Sequence, residues 1–325
     1  MKTIQTKYLL LIIGVIIVAL ANCKRKSTQN IYYSKTEGVH AAFYNSFGDR
    51  IAVSTTQGNL LLLDTQLNII KKINTKQGNA TSSFFSLNDS FIITGGIDKS
   101  LCIWDSKTLE RRGRYVTDFY LYASIYGVQT FGGSGTEGRF IMYNHALKDT
   151  FSTTLEKEGA YHLYYCIPDS VVVVGSGHKG FQIDICNKKI VNEYLSHTGQ
   201  VYCIMPSNSL EFVVSGAADS TVKIFNRNSG ELLSSSDKLD GEVYVCCFNH
   251  NDSIVAASTS SGYIYLFDNQ LKHIKKKVKA FETLINGFHY SPDGSRMVAV
   301  SEGGGMKIYS TKTWQVLYEL KSGDY

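Results

Sequence analysis

The chain has 325 residues, with 43% hydrophobic, 12% aromatic and 19% charged residues, which describes one ordered body and excludes a disordered or low-complexity polymer. Three prolines against 28 glycines favour many tight hairpins, since glycine supplies the positive-φ positions those turns need. The net charge is only +5, with several of the positive charges in the first 26 residues, so the remainder is close to neutral and gives no electrostatic footprint for nucleic acid.

In chain order, Lys2 and Lys7 form a positive start, and Leu9 to Ala21 is an uninterrupted apolar stretch. About 13 apolar residues suit the hydrophobic segment of an export signal, whereas a spanning helix needs about 20. Leu20-Ala21-Asn22-Cys23 follows, then Lys24-Arg25-Lys26. This resembles the lipobox of bacterial lipoproteins, with Asn22 where that family places Gly, Ala or Ser. The resemblance implies a signal peptide over residues 1–22, a diacylated Cys23, and a short tether over 23–30. The alternative is an uncleaved anchor with an incidental cysteine. Seven extended residues reach roughly 25 Å, so the body that starts at Ile31 would hang close to the bilayer. Six further cysteines lie inside apolar strand-like runs without any C-x-x-C pair; they are expected to be buried thiols, the alternative being oxidation in an exported protein.

From residue 31 onward the chain repeats. Ser215-Gly-Ala-Ala-Asp219 leads six residues on to Phe225-Asn226, and Gly95-Gly-Ile-Asp98 leads likewise to Trp104-Asp105. Carried along the chain, this register gives turn positions Gln57, Asp98, Glu137, His178, Asp219, Ser261 and Gly303, at steps of 41, 39, 41, 41, 42 and 42 residues. Each unit contains four short β-rich runs separated by turn residues, which is the signature of a propeller blade. The expected fold is therefore all-β: a seven-bladed propeller of four-stranded antiparallel blades over residues 31–325. Two segments compete to close the ring, Ile31–Ser34 at the start and Trp314–Leu320 at the end.

Trp104-Asp105, Phe267-Asp268 and Phe225-Asn226 stand where the WD-repeat family places its Trp-Asp dipeptide, and His197-Thr-Gly-Gln-Val201 matches its histidine ahead of the innermost strand. The chain resembles that family over residues 31 to 321. The resemblance implies a buried hydrogen-bond chain through His197, Ser215 and Asp219, with Phe225 in place of the final tryptophan. It assigns the corresponding structural places in the second blade to Asp98 and Trp104.

The second residue of each innermost strand reads, in this register, His40, Thr81, Tyr120, Tyr161, Tyr202, Tyr244 and Asn286. The family resemblance puts that column at the rim of the central channel, on the face commonly used for partners. Tyrosine offers apolar area and a hydroxyl at low entropic cost. Tyr120, Tyr161, Tyr202, Tyr244 and His40 are thus the candidate partner-binding residues.

Other motifs carry less. Two G-x-G-x-x-G stretches, Gly133–Gly138 and Gly175–Gly180, lead into strands, whereas a dinucleotide loop must open a helix. The histidines are dispersed and no G-x-S-x-G occurs, so no catalytic residue, metal or cofactor is expected. The lysine-rich run 272–279 and the trio Arg111, Arg112 and Arg114 fall on outermost strands, where basic residues block edge pairing or, alternatively, meet anionic headgroups. The expected function is a lipid-anchored, non-catalytic scaffold of the bacterial envelope, facing the periplasm and presenting one propeller face to a protein or peptide. The alternatives are a lactonase-like or quinoprotein-like propeller enzyme and a ligand or carbohydrate sensor.

Overall fold

The computed structural model describes residues 37–127, 130–144, 149–166 and 170–325. The signal peptide, Cys23, the tether and the Ile31–Ser34 segment lie outside the described residues. The described chain forms seven four-stranded antiparallel sheets, each made of four consecutive strands in sequence order. The first blade comprises Val39–Tyr44, Arg50–Thr55, Asn59–Asp64 and Ile69–Asn74; the last comprises Ile285–Tyr290, Arg296–Ser301, Met306–Ser310 and Val316–Leu320. The outermost strand of the last blade is thus the C-terminal one.

The run Leu60-Leu61-Leu62-Leu63 shows why the inner strands are apolar on both sides. All four side chains are fully buried. Leu61 and Leu63 pack with Val298, Val300 and Ile308 of the last blade, while Leu60 and Leu62 pack with Ile92, Cys102 and Trp104 of the second. Alternate residues of a strand point to opposite faces, so each blade buries one set against each neighbour. Burial of a leucine contributes about 1.5–3 kcal/mol. The outermost strands read differently: Ile69–Asn74 and Ile274–Lys279 are almost wholly exposed.

The ring closes through contacts between chain ends. Asn286 Nδ2 donates to the Val39 carbonyl at 2.8 Å, and the Tyr325 hydroxyl lies 2.7 Å from the Glu37 carbonyl and 2.8 Å from that of Gly304. The glycines of the first G-x-G-x-x-G stretch allow close backbone packing around the third blade. A Cβ on Gly138, at φ +63°, would stand 1.7 Å from the Glu156 carbonyl oxygen. Only a residue without a side chain allows that approach.

In the fourth blade the hairpin between its second and third strands is one residue shorter than in the fifth. Ile183 pairs with Val172 as Phe225 pairs with Val213, so the equivalent of Phe225 is Ile183, five residues after the turn position His178 where the repeat register expected Asp184, six after it. Cys102, Cys166, Cys203, Cys246 and Cys247 are buried, but Cys186 falls in the turn after Lys179–Asp184 and is exposed. The expectation of buried thiols fails there because the apolar run ends before the cysteine.

Candidate functional site

Every innermost strand carries a β-bulge after its first residue. The pairing register skips between Val39 and Ala41, Ala80 and Ser82, Leu121 and Ala123, Ala160 and His162, Val201 and Cys203, Val243 and Val245, and Ile285 and Gly287. A bulge leaves one residue out of the ladder and re-aims its side chain. The seven re-aimed residues are His40, Thr81, Tyr122, Tyr161, Tyr202, Tyr244 and Asn286. This is the column expected from the sequence, with one correction: Tyr122, and not Tyr120, occupies it in the third blade. Tyr120 lies two residues earlier, before the strand begins at Leu121; it is 48% exposed, with Lys99 Nζ 5.0 Å from its ring centre. The clue in the sequence was Leu121, the apolar first residue matching Val201 and Val243.

With that correction the four tyrosines form a continuous arc. Tyr122 stacks on Tyr161 at 4.7 Å, Tyr161 meets Tyr202 edge-on at 5.5 Å, and Tyr202 stacks on Tyr244 at 4.5 Å. Such ring pairs contribute about 0.5–1.5 kcal/mol beyond the area they bury. The hydroxyls of Tyr202 and Tyr244 each donate to Glu242 Oε2 at 3.3 Å. Burial, then the Glu242 charge, pushes the Tyr202 phenol up; burial and the neighbouring Tyr161 push Tyr122 up to about 12. Both remain protonated donors at neutral pH. Where the column is not tyrosine, hydrogen bonds link the blades: Thr81 Oγ1 donates to the Leu121 carbonyl at 2.8 Å, and Asn286 to Val39. His40 faces Asn79, and burial lowers its imidazole below the ordinary range.

The other mouth of the channel is built from the fifth residue of the same strands: Phe43, Phe84, Ile125, Tyr164, Met205, Cys247 and His289. They line an apolar cup of about 500 Å³. Phe43 lies 3.7 Å from Phe84 and 5.0 Å from His289, measured between ring centres. Sequence reasoning did not find this cup, because the seven residues share no side-chain type.

Residues 70–105 and 188–226 match the family described as WD domain, G-beta repeat. These are WD repeats. Each matched stretch begins at an outermost strand and ends on the third strand of the following blade. The WD repeat at 188–226 holds the expected hydrogen-bond chain: His197 bonds Ser215 Oγ through Nε2 at 2.7 Å and Asp219 through Nδ1 at 2.9 Å. Burial alone would raise the Asp219 carboxyl, but bonds from His197, Thr221 and the Thr198 amide outweigh it and hold the group well below the usual range. Phe225 is fully buried and ends the chain. In the WD repeat at 70–105, Trp104 Nε1 donates to Thr94 Oγ1 at 2.9 Å and Thr94 donates to Gln77 Oε1 at 2.5 Å, so Gln77 stands where blade five has histidine. Asp98 accepts from Ser100 and pairs with Arg114 at 3.0 Å.

Curated proteins similar to the chain include eukaryotic translation initiation factor 3 subunit I of Pongo abelii, 27% identical over 42% of this chain and 45% of that protein. The proteins of the same name from Bos taurus and Homo sapiens are each 26% identical over the same shares. The chain therefore spans less than half the length of these relatives.

The basic outer strands are largely engaged by the protein itself. Lys277 pairs with Asp240 at 3.0 Å, Lys279 with Glu282 at 3.4 Å, and Arg112 with Asp105 at 2.9 Å. Such solvent-exposed pairs add little to stability, and their main effect here is to keep the blade edge charged.

Proposed function

We propose that the chain is a non-catalytic interaction module that presents its tyrosine rim to a protein or peptide partner, tethered to the envelope membrane through a lipid on Cys23. The carrying observation is the arc Tyr122-Tyr161-Tyr202-Tyr244, four successive rings set on bulges at one channel mouth. Interfaces concentrate their energy in such amphipathic rings. The WD repeats support the reading, and the relatives are named as a subunit of a larger factor. The tether and the apolar leader support the membrane address, facing the periplasm.

The partner is sought by affinity capture from detergent-solubilised envelope, with the native chain beside a Tyr202→Ala, Tyr244→Ala variant whose native fold is checked by circular dichroism. A partner is expected to be held by the native chain and released from the variant, with affinity down about 30-fold or more for a loss of about 2 kcal/mol. Equal retention would reject the rim as the site. The lipid is checked separately by the mass of the N-terminal peptide: a diacylated Cys23 is expected, and an unmodified Met1 start would refute the anchor.

A further inference from the structure

We propose that the apolar cup at the mouth opposite the tyrosine rim is a binding site for a neutral aromatic small molecule that carries a hydrogen-bond acceptor. At about 500 Å³ the cup falls within the volumes of small-molecule pockets. Its walls are aromatic on one side, where Phe43, Phe84 and His289 cluster, and include Tyr164 and Met205 from blades four and five. A flat ring matches such walls better than an alkyl chain, because it can take offset or edge-on contacts with several of them at once.

The polarity of the lining selects the ligand's functional group. Among the described residues no lysine or arginine lines the cup, and the one carboxylate among them, Asp89 at the edge, is occupied by the Ser46 amide at 2.9 Å and the Ser46 hydroxyl at 2.6 Å. A charged ligand would leave water without a counter-charge, which is costly in an apolar site. His289 is itself neutral at pH 7, since burial lowers its imidazole to about 4. Its Nδ1 is shut off from solvent with no partner. A proton there would be an orphaned buried N–H, so the favoured tautomer carries the proton on Nε2. Tyr164 adds a further ring to the wall. The cup therefore offers the His289 N–H as a neutral donor, and a carbonyl or ether oxygen satisfies it. No protein partner is required for this site, so it stands apart from the reading of the rim.

The test uses the full chain and three probes of one shape: 2-acetylnaphthalene, 2-isopropylnaphthalene and 2-naphthoate, titrated by calorimetry. The ketone is expected to bind at one saturable site, the hydrocarbon about 5-fold more weakly, and the carboxylate at least about 10-fold more weakly. His289→Phe, which keeps the ring and removes the donor, brings the ketone down to the hydrocarbon and leaves the hydrocarbon unchanged. Met205→Trp fills the cup and abolishes binding of both; Ile125→Phe does the same should the tryptophan variant not fold. Tyr202→Ala at the opposite mouth changes none of these values. The proposal is overturned if none of the probes saturates the native chain, if the filling variants bind as the native chain does, or if the carboxylate binds as tightly as the ketone.

Discussion

The two mouths of the channel are made by the same seven strands, from residues only three positions apart, yet they are chemically opposite. The second residue of each strand is thrown out of the ladder by a bulge and carries a hydroxyl, amide or imidazole; the fifth remains in register and supplies mostly apolar surface. At the rim, Tyr202 and Tyr244 converge on Glu242. In the cup, His289 and Tyr164 are held neutral by burial. Backbone irregularity shapes a repeat fold as much as residue type does: one unpaired residue per blade turns a ladder position into one that faces the channel mouth.

The largest expected effect separates the hydrogen bonds on the two sides. Asp219→Ala strips partners from His197, Thr221 and the Thr198 amide beneath the rim face, and should cost about 3 kcal/mol in urea unfolding. Asp293→Ala on the cup side removes bonds from Ser291 and Ser295 in a turn and should cost about 1 kcal/mol. Equal costs would remove the distinction between a buried chain and a turn.

Acid sharpens the contrast next. Burial lowers His289 to about 4, and lowers His162 to about 4 against the opposing hydrogen bond to the Ile204 carbonyl. Because the folded values lie below the unfolded value near 6.5, the unfolded chain binds more protons in acid. Stability is complete above about pH 6.5 and falls as the pH drops toward 4, by on the order of 2 kcal/mol per histidine at pH 5. Urea melts at pH 7 and pH 5 should show this loss in the native chain and a smaller one in His289→Phe. A loss unchanged by that substitution would place the titration elsewhere.

A smaller effect is expected at the rim. Tyr202→Ala should cost about 1 kcal/mol, one stacked pair's worth, while Tyr202→Phe retains the stack and changes the melting temperature little. The smallest perturbation is chemical. Among the cysteines after residue 36, Cys186 should be alkylated rapidly in the native chain, with the five buried ones protected until it unfolds; mass spectrometry of tryptic peptides reads this directly.

How far the sequence disclosed this molecule follows from what recurs. The blades were legible because turn residues and apolar runs repeat every 41 or so positions, and the His197-Ser215-Asp219 chain was legible because all three residue types are present. The tyrosine column was found but misregistered by two residues in the third blade, where Tyr120 and Tyr122 flank Leu121 and only the bulge distinguishes them. Gln77 in the place of histidine gave no signal, since its role depends on reaching Thr94 across the blade. The cup was illegible for a related reason. Phe43, Ile125, Met205 and His289 have nothing in common but their height along the channel.

The most direct test of the central claim is site-specific photocrosslinking in native envelope, with a benzophenone side chain at position 161 on the rim or at position 47, an exposed site in a loop on the cup side. A partner-binding rim gives a discrete protein adduct from position 161, absent from position 47 and lost when Tyr202→Ala and Tyr244→Ala are added. Adducts of equal yield from both positions, or one from position 161 that survives the loss of both tyrosines, would contradict it.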